Sequence, residues 1–552
     1  MRDSFALHFV PDDYSVRGQK LMGRQAAGAA LLRAIARSDE LSRVGCFAAS
    51  EAHAGECERG LREQGFKGEL EWVSQGRPQD LARFGTLYHP APGIERLAWR
   101  RLGLGERRYS LCGITHTTAS HAVMSAIANL AVAPVRSWDA VICTSRVVRD
   151  SVREVLERQA DYLRARLGAQ RFELPQLPLI PLGVHSRDLA CGEEARLAVR
   201  SQLNIGADDV AFLYLGRLSF HAKAHPQQMF SALERADKGG RQVHLILCGW
   251  FANDAIEKAF REAAAQLCPS VRLTLLDGRA PANQASARAA ADVFTSLADN
   301  VQESFGLTPL EAMAAGLPCV VSDWNGYRDT VREGVDGYRI ATVMPGAGAG
   351  LDLAQRYDDG IDSYDQYCGH TSQAVALDGA QLTQAYERLI KDAGLRRELG
   401  ENGRRRARAE FDWQVVFGRY RALWSELDER RRADAVLAPA LPQAVPDRLD
   451  PFAVFASYPS AQLAPESTVE LAPDASLAQL RQYRELGINR FAGSSLPTLE
   501  EFGQIFGSIE SRPTQVDELL DTLGPCDRQT LLRGLAWLCK MDLLRISAAG
   551  EQ

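Results

Sequence analysis

Long apolar runs are missing from this sequence. Nowhere do about 18 apolar residues follow one another, so no membrane-spanning helix is expected. No Cys-x-x-Cys and no His-Glu-x-x-His occurs, which removes the commonest zinc patterns. Eleven cysteines are few for 552 residues. Cys46, Cys112, Cys143, Cys248 and Cys319 lie in or beside apolar runs, where a thiol serves as a small hydrophobe. An excess of basic residues is also absent: 64 Lys and Arg face 70 Asp and Glu, a net charge of -6. That balance argues against nucleic-acid binding by bulk charge. The opening MRDSFALHFVPDDY has no apolar core of the kind a secretory leader needs. These absences predict a cytoplasmic protein with reduced thiols and no resident metal.

What is present is ordinary globular composition, 46% hydrophobic and 24% charged, in a chain long enough for several domains. Short apolar runs at 5–10, 44–48, 70–73, 109–114, 140–144 and 179–181 alternate with helical patterns, the signature of βαβ units. A second such series begins near Val210 and continues at 243–248, 271–275, 292–297 and 319–322. Residues 341–379, rich in Gly and Tyr, read as an insertion, either a lid or a crossover. Helices follow to 432, and the Ala/Pro-rich 433–449 reads as a linker. Beyond it, 450–552 is expected to be mainly helical, at 476–486, 498–509 and 528–541. Thr514 would cap a further helix, and a short strand would close a winged-helix-like end.

The stretch 296–331, SLADNVQESFGLTPLEAMAAGLPCVVSDWNGYRDTV, organises the rest. A strand runs into a polar loop, a helix opens near Thr308-Pro309 and ends at Gly316, and a second strand follows at once. The loop therefore lies at the carboxyl end of a parallel strand, where open α/β sheets take ligands. Glu303 and Glu311 are separated by seven residues, with a helix N-terminus between them that offers free N–H groups to an anion. Two solvated carboxylates would give the same spacing.

Other strand ends carry candidate chemistry. Gly18 and Gly23 precede an Ala- and Leu-rich helix, either as a turn and a packing glycine or as a loop that admits a phosphate. His116 follows an apolar strand, either bonded to backbone or offered to a substrate hydroxyl. Ser145 is an N-cap candidate. After the strand near 210–215, Gly216-Arg217 and then Lys223 supply a guanidinium fork and a point charge, suited to a diphosphate if they are not simply solvated.

The wording Glu-Ser-Phe-Gly, Pro-Leu-Glu-Ala-Met-Ala-Ala-Gly, Pro-Cys-Val-Val-Ser resembles the Glu-x7-Glu signature of family 4 retaining glycosyltransferases of the GT-B fold (glycosyl transferases group 1). The resemblance covers about 5–427, most closely at 210–340. It implies two doubly wound Rossmann-like domains facing across a cleft, 1–186 on the acceptor side and 187–432 holding the nucleotide sugar. It also implies that Glu303 binds donor-sugar hydroxyls and Glu311 the ribose. Arg217 and Lys223 would clamp the diphosphate, and His116 would sit near the sugar and acceptor. Gly18, Gly23, Gly216, Gly249, Ser304, Phe305, Gly306 and Leu307 would line the donor. Three positions depart from the family pattern. The usual Gly-Gly pair near Gly18 is missing, Lys223 is followed by Ala224 rather than Gly, and His185 replaces an Asp.

No Asp-x-Asp occurs, the pattern that commonly seats a divalent metal on a sugar nucleotide. Arg217, Lys223 and helix dipoles would then neutralise the diphosphate. The resemblance thus implies a metal-independent, retaining hexosyltransferase. It would need no cofactor beyond a UDP- or GDP-sugar co-substrate and would use a hydroxyl acceptor, saccharide or glycolipid, in polysaccharide biosynthesis. A glycolipid acceptor would bring peripheral membrane contact, and 450–552 would suit a protein partner. Two other readings use the same fold: a nucleotide-sugar 2-epimerase, and a non-catalytic scaffold that senses a sugar nucleotide.

Overall fold

The computed structural model describes residues 5–15, 23–434, 445–522 and 527–547. The chain forms two compact units, 1–445 and 446–552. Gly18 and most of the 433–449 stretch (435–444) lie outside the described residues.

The first unit is built on two six-stranded sheets. The strands of one are β1 (Phe5–His8), β2 (Arg43–Ala48), β3 (Glu69–Ser74), β4 (Thr86–Tyr88), β5 (Ser110–Ile114) and β6 (Ala140–Ile142). Those of the other are β7 (Val210–Leu215), β8 (Val243–Gly249), β9 (Arg272–Asp277), β10 (Val293–Ser296), β11 (Cys319–Ser322) and β12 (Gly337–Ile340). The orders are β3-β2-β1-β4-β5-β6 and β12-β11-β10-β7-β8-β9, so each sheet starts at its centre and winds outward both ways. Every pairing within both is parallel. Chain direction reverses between β1 and β4 in one sheet and between β7 and β10 in the other, and the crevices at those points are where such sheets take ligands.

Local sequence explains the elements. VAFLYL in β7 is buried at every residue, the continuous apolar run of a strand covered on both faces. The helix Leu307–Ala315 ends at Gly316 in the left-handed conformation (φ 86°), which glycine adopts without a Cβ penalty. Its start differs from the Thr308-Pro309 expectation: the cap is Gly306 with φ 81°. A Cβ on Gly306 would lie 2.0 Å from the Tyr327 ring, so both conformation and space demand glycine there.

Three further expectations need correction. Residues 179–181 form no strand; Leu179 makes a single bridge to Cys143. The strands β4 and β12 lie outside the expected set. Thr514 sits in a strand opposite Val469, and its hydroxyl donates back to the Ser508 carbonyl at 3.4 Å rather than opening a helix.

The last helix of this unit, Trp413–Ala433, follows the second sheet in sequence but packs on the first. Its Trp424 ring lies 4.2 Å from Phe5, and Tyr420 lies 5.9 Å from Tyr88. Ser110 Oγ donates to the Leu427 carbonyl at 3.4 Å. Between β12 and the closing helices stands the inserted segment. Its stem is β13 (Thr342–Val343) against β14 (Ala376–Leu377), antiparallel, and its body is the helices Leu351–Asp358 and Tyr364–Ser372.

The second unit pairs β15 (Thr468–Leu471) with β16 (Thr514–Gln515) and β17 (Leu544–Ser547), in the order β16-β15-β17. The helices Leu477–Glu485, Leu499–Ile509 and Arg528–Lys540 match the sequence expectation closely. Its own core holds Phe502, Ile505, Leu535 and Leu538. Among the described residues, no helix is long and apolar enough to cross a membrane.

Candidate functional site at the carboxyl ends of the two sheets

The loops after β7 and β10 flank the reversal point of the second sheet. Arg217 leaves β7 and Lys223 follows on the same loop; Glu303 lies in the loop after β10. The Lys223 ammonium is paired with the Glu303 carboxylate. Arg217 Nη2 donates to Gln302 Oε1 at 2.8 Å and to the Ala222 carbonyl at 3.1 Å. The two cations and the first carboxylate therefore share one crevice.

Glu311 takes a different partner. It sits one turn into the Leu307–Ala315 helix, 3.9 Å from Arg288, a residue that sequence reasoning missed. Burial raises its carboxyl above the usual range, and Arg288 opposes the shift.

The glycines divide into two kinds. Gly216 has φ 147° and follows β7, and a Cβ on Gly249 would lie 1.9 Å from the Gly216 carbonyl oxygen. Close approach of adjacent strand ends accounts for both residues. Gly23 is the first residue of the helix Gly23–Ala36, in open space. In the Ser304–Leu307 turn, Phe305 is buried and its side chain packs in the core. The Ser304 carbonyl accepts from Ser145 Oγ at 2.9 Å. Ser145 also caps its own helix, so one residue of the first sheet's edge holds the Glu303 turn of the second. Arg146 strengthens that tie, its backbone N and its Nε each 2.6 Å from Asp329.

Asp299 and Asn300 brace the Lys223 loop, a role their position before Glu303 does not reveal. Asp299 Oδ2 accepts from the His225 backbone N at 3.1 Å, and Asn300 Nδ2 donates to the His221 carbonyl at 2.8 Å. Asp299 is buried with Oδ1 unpartnered, and burial pushes its carboxyl up to about 7.

The facing edge is built from histidines. His116 Nε2 lies 3.1 Å from the Pro90 carbonyl. A carbonyl only accepts, so Nε2 carries the proton and Nδ1 is the free acceptor. Burial holds the ring down at about 4, so it is neutral near pH 7. His8 at the end of β1 and His89 after β4 place their Nδ1 atoms 2.8 Å apart, one donating and one accepting. His185 bonds the Ala30 carbonyl at 3.1 Å and joins neither group. Among the described residues, no group of three His, Cys, Asp or Glu is placed to hold a metal ion.

Comparison with known proteins places this arrangement. Residues 196–347 match the family model described as glycosyl transferases group 1. That stretch of the chain is similar to group 1 glycosyltransferases. The matched stretch contains Arg217, Lys223, Glu303 and Glu311. A D-inositol 3-phosphate glycosyltransferase of Nocardia farcinica is 28% identical over 204 residues, 34% of this chain and 44% of that protein. A lipopolysaccharide 1,6-galactosyltransferase of Salmonella typhimurium is 31% identical over 127 residues, 23% of this chain and 34% of that protein. The chain thus spans less than half the length of these relatives. Around the matched stretch the fold is GT-B. The structure of Anabaena Alr3699/HepE in complex with UDP shares it with a TM-score of 0.50 at 17% identity, over 76% of this chain and 99% of that one.

Proposed function

We propose that this protein is a retaining, metal-independent glycosyltransferase that moves a hexosyl group from a nucleoside-diphosphate sugar to a hydroxyl acceptor. The observation that carries the reading is the meeting of Arg217, Lys223 and Glu303 at the reversal point of the second sheet. Two cations there suit a diphosphate, and a carboxylate suits sugar hydroxyls. Without a ligand the charges satisfy one another: Lys223 holds Glu303, and Arg217 holds Gln302. Donor binding exchanges these contacts for the phosphates and the sugar, and Glu311 takes the ribose hydroxyls.

The acceptor hydroxyl attacks the anomeric carbon on the face the nucleotide leaves. The bond from that carbon to the phosphate oxygen breaks, and the acceptor proton passes to the departing oxygen. Arg217, Lys223 and the N-terminus of the Leu307–Ala315 helix stabilise the charge that develops on the diphosphate. Those groups do the work a divalent ion does elsewhere, so magnesium is not required. His116 faces from the acceptor side, its Nδ1 free to accept from a hydroxyl. Residues 1–186 would contribute the acceptor side and 187–432 the donor side, in the cytoplasm.

Calorimetric titration of UDP and GDP, each with magnesium and with EDTA, tests the reading. One nucleotide binds equally in both conditions, and Glu311→Ala weakens it roughly 10-fold, the cost of a lost charged hydrogen bond. Binding of neither nucleotide would overturn the donor site. Release of nucleotide that does not depend on acceptor would favour an isomerase.

A further inference from the structure

The histidine edge of the first sheet carries a chain of hydrogen bonds whose direction is fixed. It starts at Gln75, in the loop after β3. The Gln75 backbone N donates to the Ala48 carbonyl at 3.1 Å and its carbonyl accepts from Arg100, so both backbone groups are held. Its side-chain Nε2 lies 3.1 Å from His8 Nε2. An amide nitrogen only donates, so His8 Nε2 accepts and the His8 proton sits on Nδ1. His8 Nδ1 lies 2.8 Å from His89 Nδ1, which must then accept. The His89 proton is therefore on Nε2. That N–H has no partner among the described residues.

We infer that His89 Nε2–H is a substrate-binding donor, and that Gln75 and His8 are positioning residues that fix its tautomer. His89 follows β4 at the reversal point of the sheet. The next residue, Pro90, offers the carbonyl that His116 Nε2 bonds at 3.1 Å. The two rings thus present opposite polarity: His116 Nδ1 accepts and His89 Nε2 donates. One neutral hydroxyl satisfies both, donating to the first and accepting from the second. A carboxylate has no proton for His116, and an ammonium has no lone pair for His89. The edge thereby selects an alcohol over an anion or a cation of similar size.

The chain of bonds works while both rings are neutral, and their surroundings keep them so. Burial lowers the pKa of each, and the Arg100 guanidinium adds to the effect at His8. Arg100 stands 5.6 Å from the centre of the Phe47 ring, and the His8 ring lies 5.5 Å from the same centre. The cation is therefore close without joining the chain, its donor spent on the Gln75 carbonyl. Packing of two histidines alone would leave either tautomer open; the Gln75 amide closes the choice. That the bound alcohol is the sugar acceptor rests on the proposed transfer reaction; the order of the bonds does not.

Nitrogen-15 NMR of the histidine side chains in the full chain tests it, because protonated and unprotonated ring nitrogens resonate far apart. The wild type should show His8 protonated at Nδ1 and His89 at Nε2, each assigned by its loss in His8→Asn and His89→Gln. Gln75→Met removes the anchor, so the His89 nitrogens should report a mixture of tautomers. Glycerol, acetate and methylammonium then serve as neutral, anionic and cationic probes. Glycerol should shift His89 Nε2 and His116 Nδ1 together. Its apparent Kd should be roughly 3- to 10-fold weaker in Gln75→Met and His8→Leu, the effect of one hydrogen bond. His8→Asn, whose amide can donate from near the Nδ1 place, should restore it. A His89 proton on Nδ1 in the wild type overturns the tautomer assignment, and so does glycerol binding that Gln75→Met leaves unchanged. Glycerol that moves neither ring, or acetate that moves both as strongly, overturns the selection. UDP titration reports the donor site separately, so either idea can fail alone.

Discussion

The two sheets of the first unit share one strand order and end in opposite chemistry. At the reversal point of the second, the loops after the strands carry Arg217, Lys223 and Glu303, with Glu311 in the helix that follows, 3.9 Å from Arg288. At the reversal point of the first stand His8 and His89, with His116 in the loop after β5, all held neutral by burial. The same topology delivers a charged clamp on one side and uncharged hydrogen-bonding rings on the other. Topology fixes where a ligand binds; side chains decide what kind. On the proposed function, a diphosphate suits the first set and a hydroxyl compound the second.

That division can be broken most directly by removing one residue from each edge. Lys223→Ala should lower the rate of sugar transfer about 100- to 1,000-fold, as loss of a donor to developing charge does. His116→Ala should cost less, about 10- to 100-fold. Steady-state nucleotide release with acceptor present measures both, and a larger loss at His116 would reverse the assignment.

A second test concerns the shape of the charged edge. Gly306→Ala must adopt φ 81° and displace the Tyr327 ring. It should destabilise the first unit by about 2–4 kcal/mol in urea unfolding, the combined scale of backbone strain and overpacking. An unchanged midpoint would mean the turn is free to move.

Acidity sharpens the comparison further, because the edges respond with opposite sign. Burial holds His8, His89 and His116 at about 4, 3 and 4, below the ordinary 6.5. Between those values the unfolded chain binds more protons, so stability falls as pH drops from 6.5 toward 4. Asp299 is raised from 3.8 to about 7. There the folded chain binds the extra proton, and stability is lost as pH rises from about 4 to 7. Thermal midpoints against pH should show His89→Gln flattening the acid limb and Asp299→Asn flattening the other.

The smallest effect belongs to the tie between the edges. Ser145→Ala removes both a helix cap and the bond to Ser304, and should cost about 1–2 kcal/mol. Arg146→Ala, breaking an exposed pair with Asp329, should cost under about 1 kcal/mol. Urea midpoints separate the two.

Much of this was legible in the sequence because it lies in local patterns. Buried parallel strands such as VAFLYL announce themselves, and Glu303, Arg217 and Lys223 fall in loops that strand ends define. Three-residue β4, Thr-Leu-Tyr, carries too little pattern to see, and β12 opens on Gly337 and reads as a turn. Leu179 looked like strand but gains only one bridge, with Pro178 before it and Pro181 two residues on. Thr308 is a better cap than Gly306 by composition; the Tyr327 ring, distant in sequence, decides otherwise. Arg288, Gln302 and Gln75 were invisible for the same reason: their meaning lies in partners that only the fold supplies. The insertion was recognisable by composition, but its reach to Thr117 and His121 was not.

The helix Trp413–Ala433 has a consequence for the order of synthesis. The first sheet's strands have all left the ribosome by residue 142, but Trp424 and Tyr420, which cover Phe5 and Tyr88, follow far behind. At about 5–20 residues per second, the nascent first half waits tens of seconds with one face of its core open. The second sheet, whose covering helices are nearer in sequence, can close earlier. A ribosome stalled near residue 410 would therefore leave the older half, not the younger one, in need of a chaperone.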